Sequence, residues 1–333
     1  MYSDEDLKQA VKNGIFTASS VDEFKASVLA LKNQKNIDEE DFKLVGGFND
    51  IFVLIACFLL LFSSIFVLKP INEMFGLLSF IALSWGLSEF FVLKRKMSLP
   101  AILLLASFVG GVFILAGSFF PQMSQTSLIA SAAASTIAAY LHWLRFKVPI
   151  TVAAGTVAAV ALIISTTLNI FPSTQQWLLV ILFLCGVVAF LLAMYWDCAD
   201  TKRVTRKSDV AFWLHLAAAP LIIHPVFSSL GVLAGNESLF NMTLVIILYI
   251  LMTVISLVID RRAFMVSSLV YVIYALTSLV NTYGGIGYGF ALTGVLMGAV
   301  LLLLSAFWQV TRQKIVQLLP SSVRRYVPPI FNH

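Results

Sequence analysis

Charge is scarce in this sequence. Asp, Glu, Lys and Arg make up 12% of its 333 residues, while apolar residues reach 59%. Soluble domains carry about 25% charged residues and about 45–50% apolar ones. An ordinary soluble globule could not hide so much apolar surface, whereas a bilayer solvates it. Cysteine is scarcer still, with Cys57 and Cys185 inside apolar runs and Cys198 in a basic stretch. Their spacing excludes a disulfide framework and a thiolate metal site, so they read as small apolar residues. No Ser-His-Asp order, His-Glu-x-x-His or Cys-x-x-Cys is present, and with them go the common hydrolase, zinc-protease and redox signatures. No metal or cofactor motif stands out. The first 43 residues lack a long apolar run. That argues against a cleaved secretory signal, and the first apolar span is expected to act as an uncleaved insertion signal.

What is present is an alternation of apolar runs long enough to cross a core of about 30 Å as helices. Ten spans are predicted, at 50–68, 74–93, 99–119, 125–145, 149–170, 176–196, 210–230, 239–259, 263–281 and 287–308. The fold class expected is therefore all-α: a polytopic membrane domain over 46–310, a small helical module over 1–45 and a tail over 311–333. Of the 22 Lys and Arg residues, only Lys69 falls outside the termini and the even-numbered connections. The positive-inside bias then predicts that both termini and every even connection face the cytoplasm. The formal charge of +5 belongs to these short turns, which face an anionic leaflet. Membrane lipids are the partners it implies, and nucleic acid is not.

In the N-terminal module, Ser3 before Asp4-Glu5-Asp6 predicts a capped helix that Gly14 stops. Ser20 with Glu23 predicts a second helix, along which Val21, Phe24, Val28 and Leu31 form one stripe. Such a pair is too small to stand confidently alone. It is expected to pack on itself, on the membrane face or on a protein partner. The run Asp38-Glu39-Glu40-Asp41 reads as a solvated collar. Further on, Ser131–Thr136, Ala153–Ala159 and the pair Gly294 and Gly298 are small-residue stretches that let membrane helices approach closely, so their spans are expected near the bundle centre. Similar basic turns ahead of Pro100, Pro149 and Ala263 hint at a repeated hairpin.

Ionisable groups near the bilayer need an account of their own. Asp50, Glu89, His142, Asp209, His215 and Asp260 share one depth band at the cytoplasmic ends of their spans, and together could line a polar pocket. Helix capping explains Asp50 equally well, and pairing with Lys94 or contact with headgroups explains Glu89. His224 lies deeper in the seventh span, beyond Pro220, which is expected to kink or interrupt the helix. Interrupted helices with polar groups often mark transport sites. His215 and His224 point to opposite faces of a straight helix, so they do not form a metal pair. Asp197-x-x-Asp200 has the spacing of a Mg²⁺-diphosphate motif but reads as a solvated loop. Gly284–Gly289 echoes a channel filter but lacks its Thr-Val and pore helix, and reads as a turn.

The stretch Leu7–Thr17, the second capped helix, and the segments Gly47–Val53 and Ser208–His215 resemble uncharacterised bacterial multi-pass membrane proteins with a short helical N-terminal domain of unknown function. The resemblance implies an inner-membrane location and supplies no catalytic residues. Three functions stand open. They are transport of a small solute or lipid, a non-catalytic structural, regulatory or assembly role, and an enzyme acting at the cytoplasmic face. The absence of catalytic motifs leans against the last.

Overall fold

The structure is a computed structural model that describes residues 4–35, 48–121, 124–201, 203, 205–231, 238–283, 289–324 and 326–328. The chain divides into two compact units, Met1–Phe42 and Lys43–His333. All regular structure among the described residues is helical.

The first unit holds α1 (Asp4–Lys12) and α2 (Ala18–Lys35). Gly14 ends α1 at φ +72°, and Ile15 N–H returns to the Ala10 carbonyl at 3.0 Å, the stop expected of a left-handed glycine. The start of α2 departs from expectation, because its cap is Thr17 rather than Ser20. Ser20 N–H donates to Thr17 Oγ1 at 3.2 Å, and Thr17 N–H to Ser20 Oγ at 3.1 Å. This is the reciprocal geometry of a capping box with serine in the reaching position. Val21 is buried while Phe24 is exposed. Ser3, the collar at 38–41 and the side chains of Val28 and Leu31 lie outside the described residues.

The second unit contains α3 (Phe48–Leu68), α4 (Glu73–Ser88), α5 (Ser98–Ser118), α6 (Gln125–Phe146), α7 (Ile150–Ile170), α8 (Leu178–Cys198), α9 (Arg206–Ser229), α10 (Leu239–Ile259), α11 (Ala263–Tyr283) and α12 (Gly289–Ala306). These supply ten candidate spans, long and apolar enough to cross a membrane, as a multi-pass membrane protein requires. A π-helical turn, Glu89–Lys94, continues α4, and a 3₁₀ turn, Pro172–Trp177, precedes α8. After the spans come α13 (Trp308–Leu318) and the short α14 (Ser321–Arg324). The basic connections gather at one end of the bundle, called here the basic end.

Most consecutive helices pack as neighbours, but α9 makes little direct backbone approach to α10 and packs instead on α7, α8 and α11. Half of its apolar window is buried, against 11% for α3, which makes α9 the central helix. Small residues set the close approaches. A Cβ on Gly111 of α5 would meet Ile81 of α4 at 2.8 Å, and one on Gly186 of α8 would meet the Leu221 backbone of α9 at 2.9 Å. The expectation fails for α12, because no described atom beyond its own helical turn lies within 4 Å of a Cβ added at Gly294 or Gly298. Only 17% of its window is buried, so this glycine pair faces outward. The physical reason is that a small-residue stripe allows close approach but does not supply the facing helix. The turn at 284–288 lies outside the described residues.

Nor is α9 interrupted. It runs unbroken through both Pro220 and Pro225. Proline removes one donor, but a membrane helix persists where neighbouring helices support it, and here α8 packs against the Leu221 and Ile222 backbone.

Candidate functional site

The residues expected to share one polar pocket are parcelled among separate settings. Asp50 and Asp209 lie in the first turns of α3 and α9. Glu89 takes Arg145 of α6 as its partner rather than Lys94, through two bonds of 2.8 and 2.7 Å. The planar guanidinium supplies a two-pronged fit that an ammonium lacks. Lys94 and Arg95 lie over the Phe90 ring instead. His142 is wholly buried, with Nδ1 3.2 Å from Thr151 Oγ1 and its ring among Trp85, Phe108 and Phe146. His224 Nδ1 lies 2.7 Å from the Tyr271 hydroxyl. Five residues before the end of α9, it sits nearer the far boundary than the middle of the bundle.

The densest polar cluster is one that the sequence reading largely missed. At the basic end, buried Asp197, the last carboxylate of α8, accepts from His215 Nε2 at 2.8 Å and from Arg261 at 2.7 Å. Arg261 also donates to the hydroxyl and carbonyl of Ser208, at 3.0 and 3.1 Å. Beside it, Asp260 accepts from Arg203 at 3.0 Å and from the Trp308 indole at 2.9 Å, and Arg312 Nε lies 3.3 Å from it. Arg312 continues to the Pro328 carbonyl at 2.6 Å, which ties the chain beyond α13 to the same cluster. Burial pulls the Arg203 guanidinium below its usual range, and the neighbouring Arg261 charge acts in the same direction.

Three buried guanidiniums thus share two buried carboxylates. Buried charges persist only when paired and hydrogen-bonded, so the cluster clamps α8, α9, the α10–α11 turn and α13 together. Asp197-x-x-Asp200 is therefore not a solvated loop motif. Asp197 belongs to the cluster, and Asp200 accepts from the Thr205 amide and hydroxyl at 2.7 and 2.6 Å. Neither acid is left to meet a metal with the other. In sequence, Asp197 is an acid placed just inside an apolar span, which was the available signal. Its partners come from α9 and the α10–α11 turn, and nothing in the local sequence points to them.

A second feature is apolar. Between α5, α6, α7 and α9 lies a groove of about 490 Å³, lined by Gly110, Ser135, Ile150, Ala154, Ala158 and Trp213 among others. Phe113, Val157 and Leu216 on its rim are exposed, so it opens on the outer side of the bundle. Polar groups in the lining are few. They are the Trp213 indole and the Ser135 hydroxyl, and the latter already donates to the Val109 carbonyl at 3.4 Å. Alanine and glycine on the helix walls leave the space, because larger side chains there would fill it. The groove reaches Trp213–Ala217 of α9 but not Pro220 or His224, where an interrupted helix was expected to place a transport site. Among family models, curated proteins and solved structures, none matches this chain.

Proposed function

We propose that this is a multi-pass protein of a bacterial inner membrane, with both termini cytoplasmic, that takes a lipid-like molecule into its bundle as a step in transport. The groove is the observation that carries this reading. Its volume of about 490 Å³ falls within the roughly 300–1,000 Å³ of small-molecule sites. Its rim opens sideways, and its walls offer a polar solute almost nothing. Catalysis has less support, since Glu89, His142 and His215 are each committed to partners outside the proposed pocket.

Leaflet exchange of a short-chain fluorescent phospholipid in reconstituted vesicles tests the reading. Wild-type protein should speed exchange over empty vesicles, and Ala158→Trp, which fills the groove, should abolish the gain. Exchange no faster than in empty vesicles would remove the transport step. A non-catalytic structural or regulatory role is the second reading. It is favoured by the N-terminal unit, whose exposed Phe16 and Phe24 line a recess of about 370 Å³ and offer an apolar surface to a protein partner.

A further inference from the structure

We infer that the groove holds an anionic lipid of the basic-end leaflet, one acyl chain along α7 and the headgroup at Lys147. This rests on the lipid reading above and adds the occupant's charge, leaflet and orientation. Along α7 the lining runs from Ile150 to Ala161, about 16 Å at 1.5 Å per residue. That is close to half of a hydrocarbon core of about 30 Å, the depth of a single leaflet. The groove therefore suits one chain inserted from the basic end and does not span the bundle.

The headgroup level is marked independently. Trp143, Trp196 and Trp213 belong to one packed cluster with Ala153 and Ala217, and tryptophan concentrates where hydrocarbon gives way to headgroups. Trp213, Ala153 and Ala217 also line the groove, so its mouth lies at that level. Lys147 stands three residues before Ile150, and its ammonium is held over the Trp143 ring, 5.3 Å from the centroid. Its backbone is left-handed, with φ +53°, in the tight turn that brings α6 into α7. Neighbouring Arg145 is committed to Glu89, while Lys147 is exposed and makes no ion pair among the described residues. A cation held over an aromatic, three residues before the first α7 residue of an acyl-sized groove, selects a negative headgroup. A zwitterionic one would bring its own cation to the same place.

The test is native mass spectrometry of the full chain from nanodiscs holding equal phosphatidylglycerol and phosphatidylcholine, on wild type, Lys147→Gln, Ala158→Trp and Lys314→Gln. Lys314 is an exposed lysine of α13 and controls for general surface charge. Wild type should retain phosphatidylglycerol in preference. Lys147→Gln should cut that preference about fivefold, the worth of one cation near a membrane surface, and Lys314→Gln should leave it unchanged. Ala158→Trp should release both lipids. If Ala158→Trp releases lipid but Lys147→Gln keeps the preference, the headgroup assignment is wrong while the groove reading stands. If Ala158→Trp retains lipid as wild type does, the groove reading itself fails. An equal loss in Lys314→Gln would reduce the selectivity to bulk surface charge and overturn the assignment to Lys147.

Discussion

Lys96, Lys147, Arg203 and Asp260 hold the left-handed backbone that usually falls to glycine. Each stands in a different basic-end connection, those joining α4 to α5, α6 to α7, α8 to α9 and α10 to α11. The left-handed residue recurs in each of these four turns, past the end of the preceding helix. Its cost, about 1–2 kcal/mol per residue, is accepted for different reasons. Asp260 and Arg203 are kept by the buried cluster, whereas Lys96 is exposed. One substitution should therefore have opposite signs at two sites. Lys96→Gly relieves strain and should stabilise by about 0.5–1 kcal/mol after glycine's extra chain entropy is subtracted. Asp260→Gly relieves the same strain but strands buried guanidiniums, and should destabilise by about 3–5 kcal/mol. Thermal unfolding of both variants in detergent gives the comparison, and a destabilised Lys96→Gly would show that its turn is not strained.

At the scale of the helix, α9 shows which features can be read locally. Its length and apolar character are evident from composition, and its ends fall within a few residues of expectation. Its continuity through Pro220 was not evident, because the support comes from α8. There Gly186 lets the helix backbones approach so closely that a Cβ would meet Leu221 C at 2.9 Å and Ile222 N at 3.0 Å. Backbone atoms cannot step aside as a flexible side chain can. Gly186→Ala should cost about 1–3 kcal/mol by overpacking. Gly86→Ala in α4, where no described atom beyond its own helical turn lies within 4 Å of the added Cβ, should instead gain up to about 1 kcal/mol from helix propensity. A fluorescence-based thermal shift comparing the two decides the point, since equal effects would mean that helix propensity alone is being measured. The same logic explains α12. Glycine spacing is visible in a sequence, but the identity of the helix opposite is not.

For the whole molecule, the span count was legible because a bilayer imposes a minimum apolar length on each crossing, which a window of sequence measures directly. The buried cluster was not legible, because Asp197, Arg261 and Arg312 meet only after helices distant in sequence have packed. Sidedness lies between these cases. It rests on the cationic residues gathering at one end, an average over many turns rather than any one contact, and a native cysteine can test it. Cys198 closes α8 at the basic end and is exposed, whereas Cys57 is buried and Cys185 partly so. With Cys57 and Cys185 replaced by alanine, a membrane-impermeant maleimide should modify Cys198 in inside-out vesicles and spare it in intact spheroplasts. Ser173→Cys, on the exposed 3₁₀ turn at the other end of the same span, should give the reverse once Cys198 is also removed. The two positions are joined by one helix of 21 residues, so labelling of both from the same side would mean that α8 does not cross. The proposed lipid orientation would fall with it, because Lys147 shares the basic end with Cys198.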